Sequence, residues 1–320
     1  MHDCEERLDI LNGTRKLRYM IDLRRLRTLR ELADRGTIAA TADALHLTPS
    51  AVSQQLAVLE REVGQPLLEP NGRTVRLTPA ATAVLAHADT LFSEVERMDA
   101  TLAALAGGAV GDVRIGAFST AIRGLIVPVV AALREHSPGL RPVVRDLEAP
   151  EIFDAIALGE LDLGISMDHS RAPSRDDERF ARFDLMRDVL DVALPAEHPL
   201  ARRDIELRDL ADEAWIVPPD GWSCEDVIRV SCAAAGFAPR VAHRSHDWTA
   251  IMAMVGAGLG VAVVPRLAQD PPPQGVVIRR LEGEPAARHL FVTCRRGGED
   301  HPAIGAVIDA IQDVARSTTP

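Results

Sequence analysis

The sequence contains no long apolar run, no closely spaced cysteines and no excess of positive charge, and each absence excludes something. No stretch reaches the ~18 consecutive apolar residues of a membrane-crossing helix, so no membrane partner is expected. The opening residues, Met1 to Leu11, alternate acids and bases without the apolar segment of a secretory signal, which predicts a cytoplasmic location. Cys4, Cys224, Cys232 and Cys294 stand far apart and form no C-x-x-C pair, so they read as reduced structural thiols rather than disulfides or zinc ligands. The histidines fall into no metal-ligand spacing, and the G-x-S-x-G, H-E-x-x-H and P-loop signatures are missing. No metal, no cofactor and no enzymatic activity are therefore expected. A net charge of −11 argues against phosphate binding over the whole surface, because phosphate contacts need cations.

That charge is uneven. Residues 15–78 hold 11 basic and 7 acidic side chains, a net of +4, and the remainder carries about −15. A local basic patch on an acidic chain suits a small nucleic-acid-reading module joined to a larger domain with another task. The local pattern agrees. Asp22 to Arg35 places Leu23, Leu26, Leu29, Leu32 and Ala33 on one helical face, and Gly36 ends it. Thr37 caps a short alanine-rich helix to Leu45, His46-Leu47 makes a tight turn, and Thr48-Pro49 opens a third helix to about Val63, stopped by Gly64. Asn71-Gly72 between Leu67-Leu68 and residues 74–77 reads as a two-residue hairpin, a β-wing.

A long helix follows from Thr78-Pro79 to about Leu105. Along it Val84, Ala88, Leu91, Val95, Met98 and Leu102 recur at alternating spacings of four and three, and Leu105 continues the series. This heptad seam predicts a homodimer. Residues 106–111 are glycine-rich and flexible. Beyond them strands and helices alternate, which predicts an α/β domain with mostly parallel sheets. The expected strands include 113–118, 140–147, 161–166, 185–194, 215–217, 261–264, 276–281 and 290–294. The run Gly256, Gly258, Gly260 follows a helix and precedes a strand, the reverse of a dinucleotide fingerprint, so no nucleotide is implied.

In a helix-turn-helix the second helix enters the major groove by its N-terminal end. Ser50, Ser53 and Gln54 project outward there while Val52, Leu56 and Leu59 face inward; glutamine can pair bidentately with adenine and serine can donate to bases or phosphates. Thr48 and Pro49 sit where free N–H groups favour a phosphate. From about Asp22 to Ala106 the sequence resembles the LysR-type transcriptional regulators. The matching residues are 22–26, 42–55, Leu59-Glu60, Gly64, 66–68 and 76–80, and looser matches continue at 159–165, 198–201 and 255–261. Leu68, Glu69 and Pro70 depart from the phenylalanine and arginines usual in the family's wing, and Ala81 replaces a usual glycine. Because Glu69 would repel phosphate, wing contacts are assigned to Arg73 and Arg76, with Arg24 and Thr37 completing the DNA-binding set.

The resemblance implies a multidomain α+β protein: an N-terminal winged helix-turn-helix, a long linker helix and an α/β two-lobed periplasmic-binding-protein-like effector domain. The expected divisions are a disordered N-terminal extension (1–19), the winged helix-turn-helix (20–78), the linker and dimerisation helix (79–106), a hinge (107–111) and the effector domain (112–320). Its first lobe takes about 112–190 and 268–320, and its second about 191–267. The implied partners are double-stranded DNA, a small-molecule effector in the cleft and a second copy of the chain, commonly in tetramers. Independent of family, Ser119-Thr120 follows a strand and opens a helix with Arg123 one turn in, which suits an organic anion, although plain N-capping explains Ser119 and Thr120 equally well. Glu148, Ala149, Pro218, Trp222, His246, Asp247 and Trp248 occupy other strand ends and loops; Asp247 also reads simply as an N-cap. The alternative is a cytoplasmic solute-binding or sensor protein without direct DNA readout.

Overall fold

The computed structural model describes residues 21–71, 74–202, 205–269, 271–283 and 286–318. The expected extension (1–19), Cys4 and Arg73 lie outside the described residues. The chain divides into two compact units, with the boundary between Glu94 and Val95.

In the first unit, helices α1 (Leu23–Arg35), α2 (Ile38–Ala44) and α3 (Pro49–Val63) each start on the expected cap. The Asp22 carboxylate accepts from Arg24 N, Thr37 Oγ1 from Ala40 N and Thr48 Oγ1 from Ala51 N. Gly36 and Gly64 end α1 and α3 at φ 73° and 74°, a conformation that costs a side-chain-bearing residue about 1–2 kcal/mol. His46 takes a similar conformation (φ 52°) and turns the chain so that Leu47 N reaches Ala42 O. Leu26, Leu29, Leu32, Val52, Leu56, Leu59 and Leu67 close one core. Strands β1 (Leu68–Asn71) and β2 (Thr74–Leu77) form the wing, anchored where Glu60 Oε1 accepts from Leu67 N and Leu68 N. Helix α4 (Pro79–Leu105) starts in this unit, tied to α1 by an Arg30–Asp89 ion pair and by Arg30 lying 4.3 Å over the Phe92 ring.

The second unit holds the end of α4 and two lobes. In the first lobe, β3 (Gly111–Ala117), β4 (Leu140–Asp146) and β5 (Leu163–Met167) are parallel, in the order β5-β3-β4. A short helix α5 (Ser119–Ala121), a π-helical turn (Ile122–Ile126) and α6 (Val127–His136) run on one another. Helices α7 (Glu151–Ala157) and α10 (Pro302–Thr318) cover opposite faces of this sheet.

Strands β6 (Phe180–Pro195) and β11 (Ala287–Arg295) correct the expectation of mostly parallel sheets. They pair antiparallel with one another, β11 pairs antiparallel with β5, and β9 (Ala262–Pro265) and β10 (Val276–Arg279) pair antiparallel with β6. The physical reason is that β6 and β11 carry the chain out to the second lobe and back, so they must run in opposite directions. β6 also begins five residues before the expected Leu185, because residues 180–184 continue the ladder against β11. In the second lobe, β7 (Ala214–Val217) pairs with β8 (Arg240–Arg244) between helices α8 (Ser223–Ala234) and α9 (Trp248–Gly256). The charges of Arg240, His243 and Arg244 hide β8 from a hydrophobic pattern. Of the residues expected in the first lobe, Ala268, Gln269, 271–283 and Ala286 also belong here. Ala268, Val276, Leu281 and Ala286 are buried in second-lobe cores, because β10 completes that lobe's sheet before β11 crosses back.

Candidate nucleic-acid interface and ligand cleft

The first turn of α3 presents an exposed row. Thr48, Pro49, Ser50, Ser53 and Gln54 are all solvent-facing, while Val52, Leu56 and Leu59 are fully buried below them. The hydroxyls are pre-oriented: Thr48 Oγ1 lies 3.0 Å from Ser50 Oγ, and Ser53 Oγ donates to Pro49 O at 2.9 Å. Thr28 Oγ1 donates to Gln55 Oε1, so α1 braces the reading helix beside this row. Arg24 and Thr37 are exposed at the starts of α1 and α2.

The wing is less basic than its sequence implies. Glu69 and Arg76 are direct cross-strand partners, and Arg76 Nη2 sits 2.5 Å from Glu69 Oε1. Rather than merely repelling phosphate, Glu69 also occupies one of the arginines assigned to it. Both side chains are exposed, so the pair is worth at most about 1 kcal/mol and a phosphate can compete for the arginine.

The heptad seam divides in two. Val84 and Ala88 pack into the core of the first unit, whereas Leu91, Met98 and Leu102 are 46%, 54% and 57% exposed and Val95 is half-buried. The last turns of α4 are held in the second unit by Glu96, whose Oε1 accepts from Arg295 Nε at 2.5 Å. Apolar side chains left in water along a helix so anchored form a face available to another helix.

In the second unit the polar groups converge where β6 and β11 cross between the lobes. Arg288 and Asp188 are directly opposite in the β6–β11 register and form an ion pair buried to 1% and 0% side-chain exposure. Arg288 Nη2 also donates to Thr120 Oγ1 at 3.2 Å, and Asp188 Oδ1 accepts from Leu267 N. Thr120 thus points into the protein, and neither it nor Ser119 makes a side-chain cap for α5; Ser119 is exposed. Arg123 is exposed and donates to Leu267 O at 3.3 Å.

Several contacts join the lobes, among them the Arg171 guanidinium lying close to Gly221. Ser223 Oγ, at the start of α8, donates to Glu148 Oε2 at 3.3 Å. Asp226, one turn on, accepts from the Ser170 hydroxyl and backbone N–H, which hold its carboxyl below the usual range. Burial pushes Glu148 up to about 7, although the nearby Arg288 favours its ionised form. Burial likewise pushes the adjacent Cys224 thiol up to about 12, so it is inert as a nucleophile. Trp222 stacks on His246, ring centroids 5.6 Å apart. Ala149 and Pro218 are buried beside the strand ends. Asp247 caps α9 through Thr249 N, and Trp248 packs against both second-lobe cores rather than standing free. Among the described residues no cluster of His, Cys, Asp or Glu could hold a metal, and no helix is long and apolar enough to cross a membrane.

Sequence reading missed Arg288, Asp188, Ser223, Ser170 and Asp226. An available signal lay in Asp188, Asp191 and Arg288, charges set in otherwise largely apolar strands, positions that burial penalises unless the charge is paired.

Comparison with known proteins agrees with this arrangement. Residues 23–82 match the model of the bacterial regulatory helix-turn-helix protein, lysR family, and residues 106–316 match the LysR substrate binding domain. The chain is 31% identical over 304 residues to the small neutral protease regulatory protein of Streptomyces coelicolor, covering 93% of this chain and 89% of that protein. It is 29% identical over 247 residues to the transcriptional dual regulator GltC of Bacillus subtilis, covering 77% and 81%. A mutant of OxyR from Corynebacterium glutamicum shares the fold, with a TM-score of 0.60 at 23% identity and 94% coverage of each chain. The chain belongs to the LysR family of DNA-binding transcription regulators, with a helix-turn-helix followed by a two-lobed effector-binding domain.

Proposed function

We propose that the protein reads a specific duplex sequence through Ser50, Ser53 and Gln54, with Thr48, Pro49, Arg24, Thr37, Arg73 and Arg76 on phosphates, and that a small molecule in the cleft modulates this binding. The observation that carries the reading is the exposed, pre-oriented polar first turn of α3 above a fully buried apolar face. It acts as a cytoplasmic, non-enzymatic regulator, in keeping with a family of transcription regulators. Two copies pair through the exposed part of the α4 seam, Leu91 to Leu102, and such dimers assemble into tetramers. The effector, expected from the sequence to be an organic anion, sits between the lobes near Ser119, Glu148 and Trp222. Its binding shifts the population of lobe arrangements, and hence the spacing of the paired reading helices.

The test is salt-dependent binding of the full chain to the DNA upstream of its own gene. Affinity for that duplex at least about a thousandfold above random duplex at one salt concentration is expected. Equal affinity for both would leave the solute-binding alternative standing.

A further inference from the structure

We propose that the two lobes are fastened by a pH-sensitive latch, in which ionisation of Glu148 in the first lobe loosens its contact with Ser223 in the second. This deepens, and rests on, the reading in which lobe arrangements shift between populations. It adds a second variable, the proton, acting on the same closure.

The latch is a cluster of contacts between lobes that the crossing strands β6 and β11 join. Glu148 follows β4 in the first lobe, and Ser223 opens α8 in the second. The Ser223 hydroxyl donates to Glu148 Oε2 at 3.3 Å, the one hydrogen bond to that carboxyl among the described residues. An ionised carboxylate has room for about four. Beside it, a strap from the first lobe grips the same end of α8. Ser170 donates its hydroxyl and backbone N–H to Asp226 Oδ2, and Asp226 Oδ1 accepts from Arg229 Nη2 at 2.6 Å. The Arg171 guanidinium lies against Gly221, and His169 Nδ1 accepts from Arg171 N at 3.1 Å, which fixes the turn of the strap.

These contacts respond differently to pH. Asp226 stays ionised, since Ser170 and Arg229 hold its carboxyl below the usual range. Burial lowers the His169 imidazole, which faces Asp226, Arg171 and Asp168, so it is mainly neutral at pH 7. Glu148 is the member that changes charge near neutrality, because burial pushes it up to about 7. After burial, Asp146 on β4 and Glu151 on α7 disfavour its charge, whereas Arg288 on β11 and Ser223 on α8 favour it. Arg288 is already engaged by Asp188 on β6 and by Thr120, and burial pushes the neighbouring Cys224 thiol up to about 12, so it stays neutral. An anion so placed is relieved by water, and water reaches it when Ser223 withdraws. Opening that fully hydrates Glu148 returns it toward 4.5. A rise from pH 6 to pH 8 therefore favours the open arrangement by up to about tenfold.

The test is hydrogen–deuterium exchange of the full-length protein, corrected for the intrinsic pH dependence of amide exchange. The Ser170 N–H, donated across the cleft, reports closure, and residues 290–294 of β11, inside the first-lobe sheet, report unfolding. From pH 6 to pH 8, protection at Ser170 should fall several-fold, up to about tenfold, and stay below that of 290–294 throughout. In Glu148→Gln, whose amide cannot ionise, the fall should disappear. Ser223→Ala is the second variant: it loses a bond that favours the charged form, so the fall should grow. A fall that is absent from the wild type, persists in Glu148→Gln or fails to grow in Ser223→Ala would overturn the latch and leave an effector-driven closure standing. If Ser170 is as protected as 290–294 at every pH, the lobes part only on unfolding, and the population reading falls with the latch.

Discussion

The first turn of α3 and the floor of the cleft are both polar, yet they are built on opposite principles. On α3 the hydroxyls of Thr48, Ser50 and Ser53 bond to one another or to backbone within four residues, and they stay in water. In the cleft, Thr120, Glu148, Asp188, Ser223 and Arg288 bond to partners 75 to 168 residues away, largely out of water. An exposed, locally satisfied row can exchange its water for DNA at little cost to folding. A buried network stabilises the fold only when complete, so losing one member strands another in a low-dielectric site.

The largest expected break in this comparison is Arg288→Ala. It leaves Asp188 buried without its counter-ion and should destabilise the second unit by about 3–5 kcal/mol in urea unfolding. A loss below about 1 kcal/mol would mean the pair does not hold the lobes. The next concerns Glu148. Its pKa is raised from 4.5 to about 7 on folding, so the neutral form is the favoured one in the native state. That contribution is complete below the unfolded value and is lost as pH rises through about 7. Between pH 5 and pH 8 the wild type should therefore lose about 2–3 kcal/mol relative to Glu148→Gln, whose amide cannot ionise. Parallel stability curves for the two proteins would contradict the burial argument.

On the exposed side the effects move to DNA. Gln54→Ala should weaken the cognate duplex by about 1–3 kcal/mol and leave random duplex and the melting temperature nearly unchanged. The smallest effect sharpens the comparison at the wing. Glu69→Gln releases Arg76, so binding to any duplex should tighten by about 0–1 kcal/mol and the salt dependence should steepen by about one phosphate contact. An unchanged salt slope would show that Arg76 does not reach the backbone.

Much of the first unit was legible in the sequence because its signals are local. Caps at Asp22, Thr37 and Thr48 and stops at Gly36 and Gly64 act within a few residues, and the helices begin and end on them. The second unit was legible in its alternation but not in its direction. That β6 and β11 run antiparallel follows from the path out to the second lobe and back, which no window of sequence contains. The seam on α4 shows the same limit: its spacing is regular, but only packing shows that Val84 and Ala88 are used inside the first unit while Leu91, Met98 and Leu102 are left outside.

The sequence alone determined the reading helix, its wing, the linker helix and the family, since periodicity, caps and motif residues are properties of neighbours along the chain. Only the tertiary structure decided that Glu69 occupies Arg76, that Thr120 serves Arg288, and that Glu148 takes the Ser223 hydroxyl at the start of α8. Charge compensation is settled by distance in space, and each of these pairings joins residues on different strands or different lobes.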